Sequence, residues 1–175
     1  MPHTLRHFGL AILILSLLYG CSFVSPGGSQ REVKCLSVES PTDGQLCGIA
    51  LRNILGPRDE LLESVPLEQP EMLVARIEDV ALEASASNFV ETDPALVFST
   101  LKTIPSAQWI LTDGRGHFSA VMEPGEYILC VSYALPWAPS VNSQQCIDLS
   151  ISKSETTKIM IRFSPMAGLF VQTIR

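Results

Sequence analysis

The stretch TDGRG, residues 112–116, places two glycines around an arginine just after an acid. Glycine-rich turns can cradle a phosphate through their backbone N–H groups. A dinucleotide-binding loop, however, needs a third glycine and a following helix. Here Ser119 stands at the third position and a strand pattern follows, and the Gly-Lys pair of a P-loop is absent. The stretch is therefore predicted to be a turn between two strands, for which Asp-Gly is a hairpin signal.

The other side chains that could take part in catalysis also lack the neighbouring groups that a reaction needs. A nucleophile needs a base beside it, and His117 is the only histidine beyond residue 20. Acidic side chains are concentrated in residues 59–93, which hold ten of them and one base, Arg76. A charge run of this kind is usually a solvated face. The sequence therefore predicts neither an enzyme nor a metal or cofactor site.

The five cysteines divide into one near the N-terminus, Cys21, and four further along, Cys35, Cys47, Cys130 and Cys146. A structural zinc site needs cysteine pairs two to four residues apart, and no pair has that spacing. In an exported chain an even number of cysteines indicates disulfides. Three pairings of the four are possible in principle.

The first twenty residues predict a signal peptide, with a weakly basic head and an apolar run, Leu10–Leu18, that is too short to span a bilayer. The sequence Leu18-Tyr19-Gly20-Cys21 resembles the lipobox of bacterial lipoproteins, in which the cysteine is lipidated and becomes the first residue after cleavage. The resemblance implies that Cys21 anchors the protein in a lipid bilayer. An ordinary signal peptide with a chance cysteine is the alternative.

Residues 21–32 are predicted to be a flexible tether, because they contain the glycine-rich segment SPGGSQ. Ser22 follows the cysteine, where an Asp usually retains a Gram-negative lipoprotein at the inner membrane. The resemblance therefore implies the outer membrane, facing the periplasm or the surface.

Beyond residue 20 the formal net charge is 11 − 18 = −7. This balance argues against nucleic acid, which needs a clustered basic face.

Short β-branched runs separated by turn residues fill most of residues 33–175. Such a pattern predicts a mainly β, antiparallel sandwich of about seven strands. Strands are predicted over residues 33–40, 45–54, 109–112, 117–121, 126–133, 144–152, 157–164 and 168–174.

The stretch TDGRGHFSAVMEPGEYILCV, residues 112–131, resembles the signature of carboxypeptidase regulatory-like domains. These domains have the prealbumin-like, or transthyretin-type, β-sandwich fold, and the resemblance implies that fold for residues 33–175. It concerns an accessory domain and implies no peptidase activity. Phe118, Tyr127, Leu129 and Val131 alternate as inward-facing residues should.

Residues 57–108 depart from the resemblance, because the family usually crosses this part in far fewer residues. Within them, residues 70–84 place apolar side chains at helical spacing behind a proline suited to a first turn. The expectation is a partly helical insertion lying on the sandwich, although part of this segment also alternates as a strand does. A solvated acidic insertion and a partner-binding elaboration are both open.

The strand pattern also predicts the disulfides. A hairpin of strands 126–133 and 144–152, with its loop at residues 134–143, places Cys130 opposite Cys146. Cys35 and Cys47 flank a turn, and a register centred near residue 42 brings them together on adjacent strands. Trp137 lies in the 134–143 loop, where it is either a lid on the core or a partner contact.

Two functions fit these observations. One is a membrane-anchored envelope lipoprotein that binds or scaffolds a protein, peptide or glycan without catalysis. The alternative is the lipoprotein component of a multiprotein envelope machine, such as a type VI secretion system, whose lipoprotein has a similar sandwich with a helical part between strands.

Overall fold

A computed structural model describes Cys35, residues 43–83 and residues 93–174. The signal peptide, the lipidation site Cys21, the tether and, apart from Cys35, the strand predicted over 33–40 lie outside the described residues. None of the helices in the described part of the chain is long and apolar enough to cross a membrane.

The described residues are mainly β, as predicted, but they contain nine strands rather than about seven. Two helices accompany the strands. In chain order the elements are β1 Gly44–Leu55, β2 Leu61–Pro66, β3 Glu71–Arg76, α1 Ile77–Glu83, α2 Pro94–Leu101, β4 Gln108–Ile110, β5 His117–Met122, β6 Gly125–Leu135, β7 Ala138–Ile151, β8 Thr156–Ser164 and β9 Gly168–Ile174.

The strands form two sheets. Sheet A has the order β2-β1-β8-β9, with β5 also on β1, and sheet B has the order β4-β3-β6-β7. Strand β1 is long enough to pair with β5 along its first half and with β2 along its second. The prediction of purely antiparallel pairing is wrong at β1 and β8, which run parallel. A parallel pair needs a long connection, and here the whole of sheet B lies between the two strands in sequence.

One buried core combines side chains from both sheets. The predicted inward positions Phe118, Tyr127, Leu129 and Val131 are all confirmed in it. Sheet A contributes Leu46, Ala50, Ile159, Ile161, Phe163 and Val171, and sheet B contributes Met72, Val74, Ile110, Tyr133, Leu149 and Ile151.

Residues 57–108 are partly helical, as predicted, and their helices lie on the sandwich, but the segment also supplies strands to both sheets and so is more than an insertion. β3 lies between β4 and β6 in the interior of sheet B, and the helix predicted over 70–84 begins only at Ile77. Met72 packs in the core between the sheets, whereas Leu73 packs on the opposite face. A strand buried on both faces loses the alternation that marks an ordinary antiparallel strand, so its apolar run also fits a helix.

The two helices cover the outer face of sheet B. Their apolar side chains join those of the strands in a second buried cluster, formed by Leu73, Ala75, Val80, Val97, Phe98, Leu101, Ile104, Ile128 and Cys130. Helix α2 begins at Pro94, a residue suited to the first helical position. The Asp93 carboxylate caps it by accepting a hydrogen bond from the Ala95 N–H at 3.0 Å.

Both predicted disulfides are present. Cys130 lies opposite Cys146 in the β6–β7 ladder, as the predicted register requires.

The Cys35–Cys47 bond has a different position relative to the strands from the one predicted. Cys47 is opposite Ser119 of β5 on one side and Lys158 of β8 on the other, so both edges of β1 are occupied there. Cys35 therefore cannot lie on a hydrogen-bonded neighbour of β1. The bond instead lies on the outer face of sheet A, because Cys47 points away from the core.

Candidate functional site

The glycine-rich stretch is a turn that carries the chain from one sheet to the other. The strand before it, β4, belongs to sheet B, and the strand after it, β5, belongs to sheet A. The hairpin expected here is therefore wrong, although the turn itself is confirmed. The Asp113 carboxylate accepts hydrogen bonds from the backbone N–H groups of Arg115 and His117, both at 2.8 Å. These bonds hold the pKa of Asp113 below its ordinary value, because they stabilise the charged form.

Asp113, His117 and Ser119 line a surface cavity of about 560 Å³, so the geometry of a catalytic triad can be tested there. A triad needs hydrogen bonds from nucleophile to base and from base to carboxylate. The Asp113 carboxylate binds backbone N–H groups, and the Ser119 hydroxyl accepts from Gln45 Nε2 at 2.8 Å. The buried Nδ1 of His117 has no hydrogen-bond partner. The three side chains share a cavity but not a proton-transfer chain.

At Cys35 and across residues 43–83 and 93–174, no cluster of three or more His, Cys, Asp or Glu side chains is placed to hold a metal ion.

The tip of the β6–β7 hairpin differs from its predicted form. The loop expected over 134–143 is wrong, because the two strands continue until only Pro136 and Trp137 remain as the turn. Pro139 does not end the ladder, since β7 is the edge strand of sheet B and a proline is tolerated there. Trp137 therefore lies on a two-residue turn instead of a long loop, next to an irregularity of the ladder between Ala134 and Leu135.

Trp137 is 66% exposed, so it is not a lid on the core. The guanidinium of Arg52, on β1, lies over the indole with its Cζ 4.9 Å from the ring centroid. A contact of this kind is worth about 0.5–1 kcal/mol at an exposed site and orients the ring. One indole face is thus supported by sheet A while much of the remaining ring surface meets solvent.

Two polar groups near the indole lack hydrogen-bond partners. Tyr133 is 2% exposed and packs edge-on against Phe163, with centroids 4.9 Å apart. Neither its hydroxyl oxygen nor Nη1 of Arg52 has a partner of good hydrogen-bond geometry. Burial raises the pKa of the Tyr133 hydroxyl above its ordinary value. The charge of Arg52 and its close but poorly aligned contact with the hydroxyl oppose the rise, and the Glu68 carboxylate adds to it. A buried polar group without a well-aligned partner is costly, so an acceptor reaching these two groups would be favourable.

The tip can therefore hold a planar or apolar group against Trp137 and offer donors beside it. Exposed tryptophans are enriched at contact surfaces, because they combine apolar area with one polar N–H group. Sequence reasoning found Trp137 but missed Arg52 and Tyr133. The first lies more than 80 residues away in sequence, and only the pairing of β1 with β8 shows that it approaches the hairpin.

The chain matches no protein-family model, no curated protein and no solved structure.

Proposed function

We propose that this chain is a lipid-anchored envelope protein that binds or scaffolds another envelope molecule through the tip of its β6–β7 hairpin, without catalysing a reaction. The observation that carries the proposal is the exposed Trp137, held by Arg52 on a two-residue turn. An aromatic ring that is already oriented by a neighbouring side chain loses little conformational entropy when a partner covers it.

The anchor is supported by the lipobox-like sequence Leu18-Tyr19-Gly20-Cys21. The Cys21→Ser variant is expected to leave the membrane fraction and to lose labelling by a radioactive or clickable fatty acid. A variant that fractionates with membranes as the wild type does, together with a wild type that is never labelled, would remove this part of the proposal.

We also propose a transthyretin-type fold for the domain. Two sheets with one core support it, as does the turn built from Pro124, Gly125 and Tyr127. The Tyr127 hydroxyl donates to the Glu123 carbonyl at 2.9 Å and so ties the turn between β5 and β6. An experimental structure in which β1 and β8 are not neighbours would overturn this assignment.

The contact role of Trp137 has a matched control in the same chain. Trp109 is 53% exposed on the edge strand β4, with Lys102 Nζ 5.7 Å from its ring centroid. A photo-crosslinking amino acid at position 137 is expected to capture a specific envelope component, and the same amino acid at 109 is not. Trp137→Ala should weaken that capture while the melting temperature holds. Equal crosslinking at both positions, or a large fall in stability after Trp137→Ala, would contradict the role.

A second candidate is the lipoprotein component of a multiprotein envelope machine such as a type VI secretion system. The helices α1 and α2 between β3 and β4 favour it, because a sandwich with a helical part between strands is what that resemblance implies. Purification after mild crosslinking separates the candidates. A large stoichiometric complex supports the machine component, whereas a single bound partner or glycan supports the simpler module.

A further inference from the structure

The outer face of sheet A carries a groove that is separate from the Trp137 tip. Strands β1, β8 and β9 and the turn after β8 line about 380 Å³ of concave surface. This volume lies within the range of about 300–1,000 Å³ that is usual for small-ligand sites. Its lining mixes apolar side chains, Met160 and the half-exposed Phe170, with the polar side chains of Asn53, Ser164 and Gln172. Gln172 lies opposite Met160, and its Nε2 is 3.8 Å from the Met160 sulfur.

Arg162 is the charged residue of the groove, and nothing in the described chain neutralises it. It forms no salt bridge, and no carboxylate lines the groove. Its Nε is buried and has no hydrogen-bond partner. An arginine offers a fork of donors that matches a carboxylate, and a buried N–H without an acceptor is costly. The groove therefore has an unfilled place for one anionic acceptor.

The β9 backbone, which forms one side of the groove, is held by hydrogen bonds to β7 in the absence of a ligand. On the edge of β9 that pairs with no other described strand, two backbone N–H groups donate hydrogen bonds to side chains of β7. Leu169 N–H donates to Ser143 Oγ at 3.0 Å, and Val171 N–H donates to Gln145 Oε1 at 2.7 Å. Phe170 lies between these two fixed residues, so binding at its ring needs little ordering of the backbone.

We propose that this groove binds the carboxyl terminus of a peptide whose last side chain is apolar. The carboxylate pairs side-on with the Arg162 guanidinium and supplies the acceptor that Nε lacks. The apolar side chain packs against Phe170 and Met160. One cation and no other charged group in the lining favour a monoanion over a phosphate. The apolar side chains of Phe170 and Met160 favour a hydrocarbon side chain over a sugar ring that carries hydroxyls on every carbon.

The test uses N-acetyl-leucine, which has a free carboxylate, and N-acetyl-leucine amide, which has none. Nuclear magnetic resonance of the purified full chain follows the Arg162 Nε–H signal, assigned by its disappearance in Arg162→Lys. N-acetyl-leucine is expected to shift this signal and to saturate at roughly 1–10 mM, the affinity expected of so small a ligand. The amide should leave the signal in place.

Variants separate a built site from a general attraction of anions. Arg162→Lys keeps the charge but loses the fork, so backbone signals around the groove should report affinity at least about tenfold weaker. Phe170→Ala should weaken binding too, whereas Lys158→Ala, which removes an exposed cation of the same face outside the groove, should not. Melting temperatures check that each variant is folded.

Three outcomes would overturn the proposal. They are equal shifts with the acid and the amide, no shift up to ~10 mM, and an equal loss of binding in Lys158→Ala. If glucuronate shifts the Arg162 signal and N-acetyl-leucine does not, the ligand of the groove is an acidic sugar and not a peptide. Failure here leaves the Trp137 proposal standing, because the two sites share no residue.

Discussion

The outer faces of the two sheets differ most clearly at strands β8 and β9 of sheet A. Sheet B is covered by α1 and α2, which bury Phe98 and Leu101 against its strands. In sheet A the strand residues that point outward include Lys158 and Arg162 and no carboxylate among the described positions. The helix layer and the outer face of sheet B do carry acids, namely Glu71, Glu78, Asp79, Glu126 and Asp148.

The difference shows how one chain can separate stability from recognition. The covered face removes apolar area from water and contributes to folding. On the outer face of sheet A the β1 side chains Cys47, Ile49 and Leu51 are also buried, but β8 and β9 keep a cation and the half-exposed Phe170 at an open groove. Substitutions on the two faces should therefore act on different quantities.

Matched phenylalanines test this comparison most strongly. Phe98 is 2% exposed in the helix layer, and Phe170 is 50% exposed on sheet A. Phe98→Ala is expected to lower the free energy of unfolding by about 3–5 kcal/mol, because it leaves a cavity. Phe170→Ala should change it by less than about 0.5 kcal/mol. Chemical denaturation measures both, and a large cost at Phe170 would show that this face is structural as well.

The two disulfides sharpen the comparison, since each belongs to one outer face. They close loops of similar length, with sequence separations of 16 and 12, so removing either by paired Cys→Ser changes should cost about 3 kcal/mol. Their local effects should differ. Cys130 and Cys146 pack in the helix layer, so their loss should speed hydrogen exchange in α2. Loss of the Cys35–Cys47 bond should not, and faster exchange in α2 after that change would contradict the division.

The cap of α2 gives a smaller effect on the covered face. Asp93→Ala removes the acceptor of the Ala95 N–H and is expected to cost about 1 kcal/mol. Asp93→Asn keeps a capping oxygen and should cost a few tenths at most. Thermal unfolding of the three proteins checks the order, and equal losses for Ala and Asn would show that charge, not capping, matters at this position.

The β6–β7 ladder was predictable because β7 alternates and the Pro124-Gly125 turn marks the start of β6, although β6, like β3, is buried on both faces. β6 and β7 show Leu129 and Leu149 inward and Cys130 and Cys146 outward, so the period of two sets the register and the disulfide together. β3 could not be recognised in the same way. Its Met72-Leu73-Val74 run is buried on both faces, and burial on both faces removes the polar half of the pattern.

The candidate sites were only partly visible in the sequence. Trp137 stands out by its type, whereas Arg52 and Arg162 look like ordinary surface cations. Arg52 reaches the hairpin through the pairing of β1 with β8, two strands distant in sequence. Arg162 lies opposite Phe170 on the next strand, but its place at a groove with Asn53 of β1 depends on that same distant pairing. The parallel β1–β8 pair has no local signal, because no turn joins its strands and only the closed sheet reveals it.

The smallest predicted effect concerns the turn that joins the two sheets. The folded state lowers the pKa of Asp113 through hydrogen bonds from the backbone of His117 and Arg115. A lowered folded pKa means that the carboxylate contributes stability above its unfolded pKa, and that this contribution is lost as pH falls through the folded pKa. Asp113→Asn should therefore be less stable than the wild type at neutral pH, and the gap should close under acidic conditions. Asp148→Asn makes the same change of net charge at an exposed position of β7, so it shows how much of the effect is general. A gap that persists unchanged in acid, or one that Asp148→Asn reproduces, would show that the Asp113 charge does not hold the turn between the sheets.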